Sequence, residues 1–257
     1  MTKERNDWLP CGAPPALREG VVHVWYVELD VDDDVHARLA DVTSEAERAR
    51  ARRLRIASAA RRFLAARGAL RTLLGAYLGC PPSRVPLPPG GTEKPCLLEP
   101  EDPSLRFNLS HSANHALIAV TRGVEIGVDI ECGARLHHVD RLSRRYFTDR
   151  ERGLLGAMDE SGRKHAVREL WTRKEAFVKA RGVGVYRSDL RALDIGLASN
   201  DAWLEVPDPS TGSRWSVRSI RPPVHGCAAA VAVEGAGLPL ECLRWIPDAG
   251  ASQPRHA

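Results

Sequence analysis

The stretch Gly127-Val-Asp-Ile-Glu131 constrains this chain more than any other. It lies in an apolar run that stops at Cys132-Gly133, and it reads as a strand. Strand residues i and i+2 share a face, so Asp129 and Glu131 should project side by side from an otherwise buried element. Two carboxylates held that close repel each other unless a cation or a proton lies between them. The pair therefore points to a metal site. His115–Thr121 reads as the preceding strand, with Arg122-Gly123 as a tight turn. This would put the acidic pair on the second arm of a hairpin.

The remaining chain alternates helices and strands. Residues 1–20 are rich in Pro and Gly and are expected to be irregular. Val21–Leu29 is apolar and β-branched, as in a buried strand. Asp30–Asp34 is a turn or a helix start. Thr43 or Ser44 can cap the next helix, and Ser44 with Glu47 has capping-box spacing. Helical patterning follows over 48–56 and 59–79, with Leu64, Leu70, Leu73, Leu74, Tyr77 and Leu78 on one face. The other face carries many arginines. It is either a solvated surface or a cradle for phosphate or an acidic partner.

A Pro/Gly-rich loop then holds Lys94 beside Pro95. Leu105–Leu109 is a short strand. Residues 136–147 read as a helix, and Thr148 with Glu151 forms a second capping box. A long helix over 161–181 ends at Gly182. Strands are expected at 193–197, 203–206, 214–220, 227–233 and 240–246, and residues 247–257 read as a disordered tail. Each half runs through helices and then paired strands, a coarse internal echo.

The 257 residues suffice for one large domain or two small ones. A net charge of +4 suits a phosphorylated ligand or an acidic protein partner and is too small to argue for nucleic acid. No apolar run approaches bilayer length. The charged start, Met1-Thr-Lys-Glu-Arg, lacks the apolar core of a signal peptide, so a cytoplasmic protein is expected. The six cysteines include no C-x-x-C pair and several sit in apolar segments. Buried reduced thiols are expected, in preference to a zinc site or a disulfide framework.

In the long helix, Leu170-Trp-Thr-Arg-Lys-Glu-Ala-Phe-Val-Lys-Ala-Arg-Gly-Val-Gly184 sets Lys174 beside Glu175, with Lys179 four residues on. On a surface this would be an ordinary i,i+4 ion pair, but Trp171, Ala176 and Phe177 make the segment look packed. Three blocks stand in order: Asn108-Leu-Ser-His-Ser112, Gly127-Val-Asp-Ile-Glu131 and Trp171-Thr-Arg-Lys-Glu-Ala-Phe-Val-Lys179. Together they resemble the signature set of the Sfp-type 4′-phosphopantetheinyl transferases, over about residues 21–246.

The resemblance implies an α+β fold of two similar α/β halves about a pseudo-twofold axis, here 21–125 and 126–246, with coenzyme A (CoA) in the cleft between them. It implies transfer of the phosphopantetheine arm of CoA to a serine of an apo acyl or peptidyl carrier protein, with release of 3′,5′-ADP. It also implies Mg2+ on Asp129, Glu131 and Glu175. Glu175 or a water beside it is then the base, and Lys174 and Lys179 are phosphate-binding cations. Ser110 and His111 match the family's phosphate contacts. Lys94 matches its loop lysine, and Arg50, Arg53 and Arg62 fall in the basic region that reaches the nucleotide. A monomer is expected.

Two departures from the family pattern stand out. Thr92-Glu93 replaces Tyr-Gly before Lys94-Pro95, and Glu47 stands where a lysine is common. The rival readings lack parts. No Gly-x-Ser-x-Gly elbow supports a serine hydrolase around Ser110-His111. No glutamate follows His111 to make a zinc helix with His115.

Overall fold

A computed structural model describes residues 7–88, 96–98, 102–133, 139–182, 189–197 and 202–247. Lys94, His137 and His138 lie outside them, as does almost all of the expected tail. Strands β1 (Leu9–Cys11), β2 (Val22–Glu28), β3 (Leu105–Ser112), β4 (His115–Arg122) and β9 (Leu240–Trp245) form one sheet in the order β1-β9-β2-β4-β3. Strands β5 (Ile126–Cys132), β6 (Leu204–Pro207), β7 (Arg214–Ile220) and β8 (Cys227–Glu234) form an antiparallel sheet in the order β5-β8-β7-β6. The helices are α1 (Asp33–Asp41), α2 (Glu45–Arg52), α3 (Ala57–Leu78), α4 (Val139–Tyr146), α5 (Asp149–Gly156) and α6 (Glu160–Arg181). The α+β class expected from the resemblance is the observed one.

Strand alternation builds four layers. Trp25, Val27, Ile118 and Val120 face Leu70, Leu73 and Leu74 of α3. Their neighbours Val22, Val24, Tyr26, Leu117 and Ala119 face Ile126, Val128, Ile130, Val231 and Val233 of the second sheet. The outer face of that sheet, with Trp215, Val217, Ala230 and Ala232, is covered by Ala176, Phe177 and Ala180 of α6. Both capping boxes form, at Ser44 with Glu47 and at Thr148 with Glu151. Both long helices end in a left-handed glycine, Gly79 and Gly182.

Four expectations are corrected. Within the stretch expected to be irregular, Leu9–Cys11 is a strand parallel to β9. β9 itself lies between β1 and β2, so the last strand returns to the first sheet and the split at 125/126 is not a clean one. The hairpin around Arg122-Gly123 does not form. β4 already has β2 and β3 on its two edges, so the chain leaves the sheet after Arg122 and β5 opens the second one. The true hairpin is β3–β4, turning at Ala113 with φ 54°.

The fourth correction concerns residues 193–197, which are not a strand. Side chains satisfy their backbone instead. Lys174 Nζ donates to the carbonyls of Leu190 and Leu193, Arg173 donates to that of Gly196, and Glu151 accepts from the Ile195 N–H.

The cysteines also depart from expectation, because Cys132 and Cys227 form a disulfide. They are directly paired across β5 and β8, with Cα atoms 4.1 Å apart, within reach of a bond. Cys11, Cys80, Cys96 and Cys242 are in no disulfide.

Candidate active site

The site is built on one face of β5. Gly127, Asp129 and Glu131 alternate with the core residues Val128 and Ile130 and turn towards α6. Gly127 explains how close the helix comes. A Cβ there would stand 2.1 Å from the Ala176 carbonyl oxygen and 2.3 Å from the Ala180 nitrogen. Only a residue without a side chain lets α6 lie directly on the strand. That contact delivers Glu175 and Lys179 to the acidic pair.

The other edge of β5 is closed by side chains of β3 in place of a backbone ladder. The Val128 N–H donates to Asn108 Oδ1 (2.9 Å), and the Ile130 and Cys132 N–H groups donate to the Ser110 and Ser112 hydroxyls (3.4 and 3.0 Å). Edge donors that would otherwise be buried and unpaired are thereby satisfied. The same two serines hold the carboxylates. Ser110 donates to Asp129 Oδ1 at 2.8 Å, and Ser112 to Glu131 Oε2 at 3.3 Å.

Lys179 Nζ lies 2.5 Å from Asp129 Oδ1 and 2.8 Å from the Ser110 hydroxyl oxygen. Burial alone would lower its pKa, but Asp129, Glu175 and Glu131 outweigh that and raise it. Asp129 is 2% exposed, and its second oxygen, Oδ2, is buried without a hydrogen-bond partner. Such an oxygen is costly to leave so. Burial, followed by the charges of Asp129 and Glu131 against the opposing charge of Lys179, pushes the Glu175 carboxyl up to about 7.

The three carboxylates are near enough to feel one another without closing into a tight cage. Among the described residues, the one trio of His, Cys, Asp or Glu ligand atoms lying within 4.8 Å of each other is elsewhere. A hard, oxygen-only donor set with an unsatisfied carboxylate oxygen fits Mg2+. That ion takes one or two carboxylates and fills its sphere with water and substrate phosphate.

Other residues expected at the site lie apart from it. Lys174 is the clear correction. It is fully buried, with Nζ 2.8 Å from Glu151 Oε2, and it donates to two carbonyls. Burial lowers its pKa against the pull of Glu151. It ties α6 to α5 and to the chain after Leu190, and has no donor left for a phosphate. His111 is exposed and one residue on from Ser110, so it leaves the strand on the opposite face. Arg62 is paired through two bonds with Asp30, at 2.7 and 2.6 Å. The Arg50 guanidinium lies over the Phe63 ring, and Arg53 is exposed at the end of α2.

Glu47 accepts from Arg67 at 2.5 Å and from Arg71 at 2.7 Å, both nearly buried. It serves the core beneath α3 where the family often has a lysine. Sequence reasoning missed Glu151, visible only as a helix cap, and Asn108 and Ser112. The polar alternation at 108, 110 and 112 was the available signal for the latter two.

Comparison with known proteins gives the family. Residues 125–232 match the family model described as the 4′-phosphopantetheinyl transferase superfamily. The chain is 36% identical over 234 residues to the 4′-phosphopantetheinyl transferase HetI of Nostoc sp., covering 91% of this chain and 96% of that one. It is 30% identical over 169 residues to the 4′-phosphopantetheinyl transferase psf-1 of Bacillus pumilus (63% and 70% covered). It is 33% identical over 92 residues to the 4′-phosphopantetheinyl transferase Sfp of Bacillus subtilis (36% and 39% covered). The matched span of the family model holds β5 and α6, the two elements that carry Asp129, Glu131, Glu175 and Lys179, and the likeness to the Nostoc protein runs nearly end to end: this chain belongs to the 4′-phosphopantetheinyl transferase superfamily.

Proposed function

We propose that this protein transfers the 4′-phosphopantetheine arm of CoA to a serine hydroxyl of an apo acyl or peptidyl carrier protein, releasing 3′,5′-ADP. The observation that carries the reading is the buried, unsatisfied Oδ2 of Asp129, set beside Glu131, Glu175 and Lys179. An arrangement so rich in charge and so incompletely bonded is suited to a ligand that completes it. Asp129, Glu131 and Glu175 would hold Mg2+, and the ion would neutralise the charge that develops as the pyrophosphate linkage breaks.

The chain's own groups do the rest. Glu175 accepts the serine proton directly or through one water. Lys179 presents an ammonium at the phosphate of the leaving nucleotide, and the Ser110 hydroxyl steadies that ammonium. His111, Lys94 and the arginines 50, 53 and 62 serve the nucleotide end of CoA. Arg62 would have to exchange Asp30 for a phosphate to do so. CoA lies in the cleft between two pseudo-symmetric halves, and the enzyme acts as a cytoplasmic monomer on an acidic carrier surface that complements its +4 charge.

Incubation with CoA, Mg2+ and a panel of apo carriers, followed by intact-mass analysis, tests this reading. The expected result is a gain of one phosphopantetheine on at least one carrier, abolished by chelation. Tight CoA binding with no mass gain on any carrier would replace the enzyme with a binding module.

A further inference from the structure

Directly after Glu131, on the opposite face of β5, lies a second cluster that the transfer reaction does not use. Cys132 at the end of β5 faces Cys227 at the start of β8. His115 opens β4 in the other sheet, and one of its ring nitrogens and the two sulfurs all lie within 4.8 Å of one another. Cys132 and His115 are buried. The imidazole is held by a chain of polar groups: Nδ1 is 2.7 Å from the Tyr26 hydroxyl, which donates to Glu28 Oε2 at 3.1 Å. Glu28 is in turn fixed by the Asn114 amide at 2.6 Å. A partner on one ring nitrogen sets the tautomer and aims the other, as in metal-binding histidines. The backbone around the sulfurs is also held, since Arg168 of α6 donates to the carbonyls of Gly226 and Gly133 at 3.0 and 2.9 Å.

We propose that, once the disulfide is reduced, Cys132, Cys227 and His115 form a three-ligand site for a thiophilic divalent cation of the zinc class. The chemistry balances with a dithiol as reductant. The dithiol gives two electrons and two protons, closes to its own cyclic disulfide, and leaves two cysteine thiols. The metal then displaces both thiol protons to solvent. Two thiolates cancel its charge, the neutral imidazole is the third ligand, and water takes the fourth place. A tetrahedral zinc with its usual bond lengths sets its ligand atoms roughly 3.3–3.8 Å apart, so the two sulfurs, bonded to each other in the disulfide, would move apart on reduction, while the imidazole nitrogen already lies within 4.8 Å of both. The site is distinct from the carboxylate face. Its soft sulfurs select a different ion from the oxygen donors of Asp129 and Glu131. Occupancy would join the first sheet to the second at the end of β5, and oxidation would close the site.

The test uses the full chain, reduced with dithiothreitol, stripped with chelator, and titrated with ZnCl2 against a chromophoric competitor. With excess Mg2+ present to fill the carboxylate face, reduced protein should take up one equivalent of zinc more than the oxidised form, with a rise in melting temperature. Cys227→Ser and His115→Gln should each weaken uptake about tenfold or more, whereas Asp129→Asn should leave it unchanged. Substituting Co2+ should give thiolate-to-cobalt charge-transfer absorption that disappears in Cys132→Ser, a readout that survives if His115→Gln does not fold. A reduced chain that takes up no more zinc than the oxidised form overturns the proposal. So does uptake that persists in Cys227→Ser, which would put the metal on other thiols or on the carboxylates.

Discussion

This molecule has two buried charge clusters, one beneath α3 and one beneath α6, and they are built to opposite ends. Beneath α3, Glu47 has both carboxylate oxygens engaged, Oε1 by Arg67 and Oε2 by Arg71 and the Ser44 N–H. Burial would raise its pKa, yet Arg67, the Ser44 N–H and Arg71 prevail and hold it below the usual carboxylate range. Beneath α6, Asp129 has one oxygen crowded by Ser110 and Lys179 and the other with no partner. Glu175 beside it is held towards its neutral form. The first cluster is saturated and can only stabilise. The second stores an unmet demand that a cation and a phosphate would meet. Burial and charge are common to both, and the count of satisfied lone pairs separates structure from function.

Breaking the open cluster should cost the most activity. Asp129→Asn should lower carrier loading by about a thousandfold while the circular dichroism spectrum and melting temperature stay near wild type. Near-wild-type loading would remove Asp129 from the metal set. Breaking the closed cluster should do the reverse. Glu47→Gln strands two buried guanidiniums and should destabilise by about 3–5 kcal/mol in urea melts, with kcat of the folded fraction unchanged.

Lys174→Met sharpens the contrast, because that lysine was expected among the phosphate ligands. Stranding Glu151 should cost about 3 kcal/mol without changing the KM for CoA. A raised KM would return the residue to the site.

The pH dependence of the metal-free protein reports on Glu175. Its carboxyl is raised from 4.5 to about 7 in the fold, so the folded state keeps a proton that the unfolded chain has lost. Stability should therefore fall as pH rises from about 4.5 to 7, by on the order of 2 kcal/mol. Mg2+ should abolish the slope, which thermal melts across that range would show. The smallest effect is expected at the β3–β4 turn, where Ala113 sits at φ 54°. Ala113→Gly should stabilise by about 0.5–1 kcal/mol, read as a small rise in the urea midpoint with no change in activity.

The sequence made the acidic pair legible because a period of two is unambiguous on a strand. The capping boxes and the glycine stops of α3 and α6 were legible for similar local reasons. What failed was non-local. Alternation tells which face a residue takes but not which edge its strand will join, so β5 was assigned to β4, although β2 and β3 hold both edges of that strand. The stretch from Leu193 to Leu197 has strand-like spacing, but its backbone is claimed by Glu151, Arg173 and Lys174. No local pattern marks those three as partners. The disulfide joins residues 95 apart, a pairing that only the register of β5 on β8 creates.

The placing of β9 bears on how the chain comes into being. Its residues Leu240–Trp245 fill the gap between β1 and β2, pairing Leu9 with Leu243 and Val22 with Leu240. Until β9 is made, the amino-terminal part therefore has an interior position of its sheet vacant. Local helices such as α3 can form early, but the first sheet cannot be completed until β9 has been made. The candidate site on β5 and α6 thus lies, in sequence, between the strands that must meet to complete the first sheet, β1 and β2 before it and β9 after it.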